Sequence, residues 1–235
     1  MIRNIFANHG ITITEEQEQK LNQYYDLLID WNNKINLTSI VEYEEVIWKH
    51  FLDSAFFVSC DKVDLKEKKK VLDLGTGAGF PGMVLAILCP DYEFILADSL
   101  NKRIEFLKVV INRLQIHNVS VIHGRAEELG RDENFRNQFD YVVSRAVAEL
   151  PVLLEYCIPF VKKGGYFVSY KSRRLDEEIE NAENALNMLY TKYEKKYKYE
   201  LEYDHSERYL VFFRCENITD SKYPRKPKKI KINPL

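Results

Sequence analysis

Apolar residues recur at helical spacing in the first third of the chain. Four of them lie three or four positions apart, as on one face of a helix: Leu21, Tyr24, Leu28 and Trp31. Thr14, followed by Gln17 three residues later, matches a capping box and so marks a helix start. A second helix is predicted over residues 44–58. The pattern therefore predicts a helical N-terminal extension, which we assign to residues 1–68.

From Lys70 onward, short apolar runs alternate with stretches of helical spacing. The runs typical of strands are 70–72, 93–98, 119–123, 140–144 and 166–171. The helical stretches between them are 83–88, 104–114 and 151–161. Such an alternation is typical of a parallel sheet with helices on both faces.

The period of the pattern changes towards the C-terminal end. A helical stripe consists of Leu175, Ile179, Ala182, Leu186, Leu189 and Tyr193. Apolar and charged residues then alternate over 197–204, as in a half-buried strand, and 209–213 is its predicted antiparallel partner. Ser206 and Glu207 are placed in the turn. The chain is therefore predicted to be an α/β protein with a mixed seven-stranded sheet, over residues 69–216, and a basic C-terminal tail over 217–235.

Composition and cysteine usage narrow the class of protein. The chain has 235 residues, of which 46% are hydrophobic and 30% charged, which fits one compact domain with extensions. Its longest apolar run, 83–89, is too short to cross a membrane, and the N-terminus lacks a secretory pattern. We therefore expect a cytoplasmic protein with no membrane partner. The 4 cysteines and 5 histidines are scattered, so neither disulfides nor a metal site is expected.

Charge is unevenly distributed along the chain. The formal net charge is only −2, yet six basic residues and no acid lie between Lys222 and Lys231. Two interpretations remain open for this segment: a solvated tail that maintains solubility, or an arm that contacts phosphates.

A glycine-rich loop follows the strand at Lys70. It reads Asp73-Leu-Gly75-Thr-Gly77-Ala-Gly79 and leads into an apolar helix. Glycines let a ligand lie against main-chain amides, so this arrangement indicates a nucleotide-binding site. Since Gly77 to Gly82 also satisfies G-x-G-x-x-G, a dinucleotide-binding fold has to be considered.

Two features favour S-adenosylmethionine over a dinucleotide. Asp73 can hold the methionine ammonium, whereas its charge would repel a pyrophosphate; the alternative for Asp73 is a helix-capping acid. The C-terminal hairpin is also typical of Rossmann-like S-adenosylmethionine-dependent methyltransferases. Asp98, at the end of the second strand, is predicted to bind the ribose. The loop after the third strand, with Ala126 and Glu127, is predicted to meet the adenine.

The end of the fourth strand, where the chemistry of such enzymes is placed, reads Ser144-Arg145-Ala146-Val147. It lacks the [N/D]-P-P-[Y/F/W] segment used to methylate exocyclic amines, and no cysteine nucleophile lies near it. A substrate atom with a free lone pair, such as guanine N7, remains. Arg145 is the predicted catalytic residue, holding the target through O6 or a phosphate. Alternatively, Arg145 pairs with a carboxylate and fixes a loop.

Six motifs that run in order carry a resemblance to a known family. They are Trp31-Asn-x-x-x-Asn36-Leu-Thr38, His50-Phe-Leu-Asp53-Ser54, Val71-Leu-Asp73-Leu-Gly75-Thr-Gly77-x-Gly79-Phe-Pro-Gly82, Asp98-Ser-x-x-Lys102-Arg103, Ser144-Arg145-Ala146 and Lys222-Tyr-Pro224-Arg225-Lys226. Together they resemble the bacterial 16S ribosomal RNA guanine-N7 methyltransferase family RsmG, also called GidB. The resemblance covers nearly the whole chain.

The resemblance implies methyl transfer from S-adenosylmethionine to N7 of a guanine, position 527 in the 530 loop of 16S rRNA. It implies that Gly75 and Phe80 line the cofactor site, with Ala126 and Glu127 at the adenine and Arg145 near the methyl donor. Asp73, Gly77, Gly79 and Asp98, indicated by the glycine loop and the second strand, complete the predicted cofactor contacts. Contacts with RNA are expected from Asn36, His50, Lys171, Arg225, Lys226 and Lys228. Asn36, His50 and Asp53 would face the cleft; the alternatives for these residues are a helix histidine with satisfied hydrogen bonds and a helix cap. The partner would be 16S rRNA or the 30S subunit, and the protein is expected to be a monomer.

The tail departs from the family pattern, since a glycine-containing turn commonly follows Tyr-Pro-Arg-Lys and this chain instead continues with Pro227-Lys-Lys-Ile-Lys. Two other functions remain open. One is a methyltransferase that acts on a small molecule, for which the basic segment should be dispensable. The other is a catalytically silent RNA- or nucleotide-binding assembly factor.

Overall fold

The sheet of the computed structural model, which describes residues 1–172 and 175–235, has seven strands. They are β1 (Lys70–Leu74), β2 (Glu93–Asp98), β3 (Val119–His123), β4 (Phe139–Arg145), β5 (Val161–Lys171), β6 (Thr191–Leu201) and β7 (Ser206–Cys215). Their order across the sheet is β3-β2-β1-β4-β5-β7-β6. The first five strands are parallel, whereas β7 runs antiparallel to both β5 and β6. The predicted mixed sheet is confirmed, and its strand order reverses between β1 and β4.

The N-terminal region is helical, as predicted. It contains α1 (Ile2–Asn8), α2 (Glu15–Ile35), α3 (Tyr43–Val46), a π-helical segment (Ile47–Leu52), α4 (Asp53–Ala55) and a 3-10 segment (Phe56–Ser59). The capping box at the start of α2 is present, because Thr14 and Gln17 exchange hydrogen bonds. The helix predicted over 44–58 is thus a succession of four segments, and its middle is wider than an α-helix.

The remaining helices cover the sheet. They are α5 (Gly82–Leu88), α6 (Asn101–Arg113), α7 (Ala126–Leu129), α8 (Leu150–Cys157), α9 (Leu175–Asn181), α10 (Glu183–Met188) and α11 (Pro227–Ile232). Among the residues described, no helix combines the length and apolar character needed to cross a membrane.

Two hydrophobic cores lie on the two faces of the sheet. Tyr24 and Phe51 from the N-terminal helices pack in one core with Phe106 of α6. In the other core, Leu154 of α8 packs in the same cluster as Ile230 of α11. Segments from the proposed extension and from the proposed tail therefore each help to cover the sheet. The division into residues 1–68, 69–216 and 217–235 stays a prediction.

The structure corrects two local predictions near the hairpin. Helix α10 ends at Met188, so the last residue of the predicted helical stripe, Tyr193, lies in β6 instead. Ser206 and Glu207 are not in the turn, because they pair with Leu201 and Glu200 as part of β7. β6 begins at Thr191, before the predicted strand, while Tyr193 still follows Leu189 at helical spacing, so the local pattern alone favours the wrong element there.

The basic C-terminal segment is not a free arm. Its residues 227–232 form α11, and the side chain of Ile230 is fully buried. The Arg136 guanidinium donates hydrogen bonds to the main-chain carbonyls of Thr219, Asp220 and Tyr223. Because these bonds hold the chain that leads into α11, the segment is docked on the protein surface.

Candidate active site

A cavity of about 540 Å³ opens at the carboxyl ends of β1, β4 and β5. The glycine loop forms its floor with Gly75, Gly77 and Phe80, and the N-terminal helical region forms one wall with His50 and Asp53. Arg145 and Lys171, at the ends of β4 and β5, line the opposite side. The cavity is therefore at the switch in strand order, where open α/β sheets commonly bind ligands.

Two glycines of the loop are required by close approaches. Gly75 has a φ of +77°, and a Cβ on it would lie 2.6 Å from Cγ2 of Val147. Gly82 starts α5, and a Cβ there would lie 2.7 Å from the Asp73 carboxylate. The loop is thus packed tightly between the segment that follows β4 and the end of β1. Gly79 also has a positive φ, of +99°, and lies behind the cavity against the Tyr24 hydroxyl.

Asp73 supports the loop from below and does not line the cavity. Its Oδ2 accepts hydrogen bonds from the Thr76 hydroxyl at 2.7 Å and from the Gly82 amide at 2.8 Å. The side chain is fully buried, and this burial raises its pKa to about 6. The helix-capping interpretation of Asp73 is therefore realised. Its Oδ1 has no hydrogen-bond partner in the part of the chain that the structure describes.

Asp98 also binds the loop. Its Oδ2 accepts from the Gly77 amide at 2.9 Å and forms an ion pair with Arg103 at 3.1 Å. Ala126 and Glu127 begin α7 after β3, and Gly124 at the start of that loop bonds to the Asp98 carbonyl. Ala126 and Glu127 do not line the cavity, so its walls belong to the Gly75–Phe80 side of the loop.

The π-helical segment shapes the wall that carries His50. The His50 ring stacks on Phe80 with centroids 4.4 Å apart, and its Nε2 lies 2.9 Å from the Thr38 hydroxyl. Asn32 holds the Thr38 loop by accepting from the amides of Leu37 and Thr38. Burial, and secondarily the Arg145 cation, lowers the pKa of His50 to about 3. His50 is therefore neutral at physiological pH.

The neutral state of His50 predicts a pH dependence of stability. Its folded pKa of about 3 lies below the ordinary 6.5, so the unfolded chain takes up the proton first as the pH falls. The stabilisation is complete above the unfolded pKa and is lost as the pH falls from 6.5 towards 3. Between pH 7 and 5 we expect wild type to lose about 2 kcal/mol more unfolding free energy than His50→Gln. Urea unfolding at both pH values measures this.

The contribution of Asp73 to the pH dependence of stability has the opposite sign, because its raised pKa makes the folded state bind a proton before the unfolded state does. Since both proteins contain Asp73, its contribution cancels in the comparison of wild type with His50→Gln. Equal losses in the two proteins would mean that His50 is already solvated in the folded state.

Arg145 forms an ion pair with Asp53, which is the alternative role that the sequence allows for it. Its Nη1 lies 2.6 Å from Oδ2 of Asp53 and 3.1 Å from the Lys49 carbonyl oxygen, and its Nη2 lies 3.3 Å from Nδ1 of His50. The guanidinium carbon is 5.3 Å from the Phe80 ring centroid. Arg145 thus lines the cavity and is anchored at the same time, since these three contacts leave two of its five donors without a partner among the residues that the structure describes.

The predicted RNA-contacting residues fall into different environments. His50 lines the cavity, as described, and Lys171 lines it while it pairs with Glu178 at 2.5 Å. Asn36 is exposed and ends α2 with a φ of +47°, outside the cavity lining. Lys226 and Lys228 are exposed at the start of α11.

Arg225 was expected to contact RNA, but its side chain is mostly buried in an ion pair. It forms a bidentate pair with the fully buried Glu155, with Nη2 to Oε2 at 2.6 Å and Nε to Oε1 at 2.8 Å. The main-chain amide of Arg225 donates to the same carboxylate at 2.8 Å. All the charge of this arginine is therefore directed inward, and Arg225 serves as an anchor for the tail.

Sequence patterns missed several contributors to the site, of which Thr38, Tyr199 and Arg208 illustrate the reasons. Thr38 and Arg208 line the cavity, and the Tyr199 hydroxyl reaches Asp53 from β6. Arg208 was detectable in principle, because an arginine at the start of a strand antiparallel to β5 comes near the carboxyl end of β5. Tyr199 looks like any other tyrosine of its alternating strand, and only the folded sheet distinguishes it.

The cavity has an excess of positive charge. Five cationic side chains line it, namely Lys49, Arg103, Arg145, Lys171 and Arg208, against two carboxylates in the lining, Asp53 and Glu178. Lys49 and Arg103 also pair with carboxylates just outside the lining, so the excess is carried by side chains that are largely ion-paired. A polyanion is attracted by such a surface.

Comparison with known proteins identifies the family. The family described as rRNA small subunit methyltransferase G (GidB) matches residues 17–205. A protein of Lachnoclostridium phytofermentans named ribosomal RNA small subunit methyltransferase G is 50% identical over 226 residues, which cover 95% of this chain and 93% of that protein. The protein of the same name from Clostridium novyi is 43% identical and covers 100% of this chain and 96% of its own length.

Solved structures agree with the fold. Fibrillarin from Methanococcus jannaschii, a pre-rRNA processing protein, superposes with a TM-score of 0.52 at 19% identity, over 66% of this chain and 70% of that chain. Aeropyrum pernix fibrillarin with natively bound S-adenosyl-L-methionine gives a TM-score of 0.51 at 16% identity, over 69% and 73% of the two chains. The predicted fold is confirmed by these similarities. The chain belongs to the GidB family of rRNA small subunit methyltransferases G, with S-adenosyl-L-methionine as its cofactor.

Proposed function

We propose that the protein transfers the methyl group of S-adenosylmethionine to N7 of the guanine at position 527, in the 530 loop of 16S rRNA. The observation that carries the proposal is the cationic cavity at the glycine loop, in which the stacked rings of His50 and Phe80 lie beside Arg145. Family membership and the names of the relatives support ribosomal RNA as the substrate. The choice of N7 rests on the chemistry of the site and on the resemblance of its motifs.

The residues of the loop fit the cofactor. Bound S-adenosylmethionine supplies an electrophilic methyl group on a sulfonium. Asp73 lies behind the loop and outside the cavity lining, but its Oδ1 is a buried acceptor that is unpartnered among the described residues, and the ammonium group of a bound ligand would satisfy it directly or through water. Asp98, placed next to Gly77 by its hydrogen bond, would hold the ribose hydroxyls. Ala126 and Glu127, on the neighbouring loop, would contact the adenine.

Methylation at N7 requires little acid–base chemistry from the protein. The N7 lone pair is free at neutral pH, so the site needs to align the base and exclude water. His50 stacks on Phe80, and because burial lowers its pKa to about 3 its neutral ring is only a weak base in the physiological range. No cysteine lines the cavity within the described residues, which fits a mechanism without a covalent intermediate.

Arg145 would hold the base as part of an ion pair that has little net charge. Positive charge develops on the purine during transfer, and an isolated guanidinium would oppose it. The 2.6 Å pair with Asp53 offsets that charge, while two donors of Arg145 stay available for a carbonyl such as O6. The ion pair is thus compatible with the catalytic role proposed for Arg145.

RNA would extend from the cavity over α11. Lys226, Lys228, Lys229 and Lys231 are exposed and make no ion pair within residues 1–172 and 175–235. Because the tail is docked by Arg136 and Arg225, these lysines are presented in a fixed array, which reduces the entropy lost on binding. Asn36, His50 and Lys171 would contact the RNA nearer the methylated base.

The direct test of the function is methyl transfer in vitro. Purified protein and radiolabelled S-adenosylmethionine are added to free 16S rRNA, to 30S subunits and to 70S ribosomes from a strain that lacks the gene. We expect incorporation at one guanine, where borohydride and aniline cleave the RNA. Subunits from the parent strain, already methylated, should accept no label. Incorporation without scission would place the methyl group on another atom and reject N7.

Removing the exposed tail lysines is expected to weaken RNA binding at every sequence. For Lys226→Ala/Lys228→Ala/Lys229→Ala we expect a higher KM for the RNA, with kcat unchanged. The slope of log KM against log salt should fall by about 0.7 for each phosphate that the variant no longer neutralises, hence by about 2. The measurement is the KM for the RNA across a salt series.

A matched variant replaces three lysines of β6 that are ion-paired, Lys192, Lys195 and Lys196. It removes the same charge from the edge strand β6 and should leave the salt slope unchanged. Equal effects of the two triple variants would assign the salt dependence to overall charge and not to α11. A small-molecule methyltransferase would tolerate both.

A further inference from the structure

Asp53 connects three distant parts of the chain at the cavity wall. It follows the π-helical segment and is 4% exposed. Its Oδ2 pairs with Arg145 at the end of β4, and its Oδ1 accepts a hydrogen bond at 2.7 Å from the hydroxyl of Tyr199 on the edge strand β6. Both carboxylate oxygens therefore have a specific partner.

The Tyr199 hydroxyl is fixed by its surroundings. Its ring stacks on Phe56 with centroids 3.9 Å apart, and Phe56 lies three residues after Asp53 on the same helical run. Burial, together with the nearby Asp53 carboxylate, raises the pKa of Tyr199 well above its ordinary value. The phenol is thus a permanent donor to Asp53 at any physiological pH.

This arrangement determines where the Arg145 guanidinium lies. A carboxylate with one partner can rotate about its Cβ–Cγ bond, whereas one that is bound at both oxygens cannot. Arg145 is further held by the Lys49 carbonyl, which the π-helical segment directs towards the cavity. Charge-assisted hydrogen bonds of this kind are the strong ones in proteins. The orientation of Arg145 therefore depends on Asp53, and that of Asp53 on Tyr199.

We propose that Tyr199 is a positioning residue for methyl transfer, which acts through Asp53 to hold Arg145 against the methylated base. The inference rests on the proposed function of Arg145 and extends it to the C-terminal hairpin. The methyl-transfer step needs the guanine aligned with the sulfonium methyl, and small displacements of an aligning group reduce the rate strongly. Loss of the Tyr199 hydroxyl leaves Oδ1 of Asp53 buried without a partner and free to turn away.

The chain contains a matched control two residues earlier. Tyr197 lies on the same strand, and its hydroxyl also donates to an aspartate of the N-terminal region, Asp61. That hydrogen bond is exposed, and neither residue lines the cavity. Tyr197→Phe and Tyr199→Phe therefore remove the same atom from two tyrosine–aspartate hydrogen bonds, of which only the less exposed one, that of Tyr199, leads to Arg145.

The test compares single-turnover methyl transfer to 30S subunits, with both substrates saturating. We expect Tyr199→Phe to be about 10-fold slower, roughly the effect of misplacing one aligning group. The Kd for S-adenosylmethionine should change less than about twofold, and Tyr197→Phe should match wild type. Equal rates in the two variants would overturn the proposal, as would a rate loss caused only by weaker cofactor binding.

A double variant separates positioning from general stability. If Tyr199 acts through Arg145, Tyr199→Phe should cost less than about twofold in an Arg145→Lys background, because residues that act as a unit are non-additive. Asp53→Asn should behave in the same way. A full 10-fold loss in the Arg145→Lys background would show that Tyr199 acts by another route and would overturn the proposal.

A readout without activity distinguishes this inference from the proposed function. The Arg145 side-chain N–H signal, assigned by its loss in Arg145→Lys, should be sharp in wild type and Tyr197→Phe and broadened in Tyr199→Phe in NMR spectra. An inactive wild type with this pattern would reject the function and keep the positioning contact. An unchanged signal in Tyr199→Phe would reject the positioning role, whatever the activity.

Discussion

Arg145→Ala is expected to reduce the rate of methyl transfer about 100- to 1,000-fold while the Kd for S-adenosylmethionine changes only a few-fold. The reason is that Arg145 contacts the cavity beside Phe80, and removal of one preorganised donor from a reacting centre typically has an effect of this size. A fall in kcat and kcat/KM together marks an interaction made in the transition state. Single-turnover kinetics and calorimetry measure the two quantities.

Arg145→Ala also leaves the Asp53 carboxylate without its ion-pair partner, so the effect of this substitution on folding needs a control. Removing one member of a largely buried ion pair costs about 3–5 kcal/mol, because the other charge stays desolvated. Asp53→Asn/Arg145→Met removes both charges and should regain most of the lost stability without regaining activity. If the double variant also regained activity, Arg145 would serve only to hold Asp53. A larger loss in cofactor affinity than in rate would make Arg145 a binding residue.

Arg225→Ala is expected to have the largest effect on stability in the tail, about 3–5 kcal/mol of unfolding free energy. Glu155 is fully buried, and among the described residues it would keep only the hydrogen bond from the main-chain amide once the Arg225 guanidinium is gone. We expect α11 to detach from α8 at the same time. Urea unfolding at neutral pH measures the free energy, and limited proteolysis after residue 217 reports the detachment.

The neighbouring Lys226 provides the control, because it is exposed and has no ion pair among the residues described. Lys226→Ala should change the unfolding free energy by no more than about 0.5 kcal/mol. Glu155→Leu/Arg225→Met, which removes both charges, should be much closer to wild type than Arg225→Ala. If Arg225→Ala and Lys226→Ala both changed the unfolding free energy by the same small amount, Arg225 would not be an anchor and would instead be an exposed residue able to bind phosphate.

Most of the sheet was predictable because each strand contains its own signal. The run at 93–98 is bounded by turn residues and reappears without change as β2, and the alternating tyrosines near 197–203 correctly indicate a half-buried edge strand. Errors arose where two local signals overlap. Tyr193 continues a helical stripe and begins a strand pattern, and the pairing of β6 with β7 decides between them.

The site was predictable as a location and less so as a set of roles. A glycine loop after a strand shows where a nucleotide lies, because the backbone geometry is encoded by the glycines themselves. The functions of the charged residues depend on partners far away in the chain. Arg145 meets Asp53 across 92 positions, and Arg225 meets Glu155 across 70, so neither arginine could be assigned to solvent or to a partner from its neighbours alone.

The sequence by itself determined the strand–helix alternation, the nucleotide loop and the family, since these depend on periodicity and on contiguous motifs. Only the tertiary structure decided which charges are available to a substrate. Burial separates the anchored Arg225 from the exposed Lys226 next to it, and converts Asp53 from an unassigned motif residue into the bridge between Tyr199 and Arg145. The physical reason is that desolvation and pairing depend on what surrounds a side chain in space, and linear order does not contain that information.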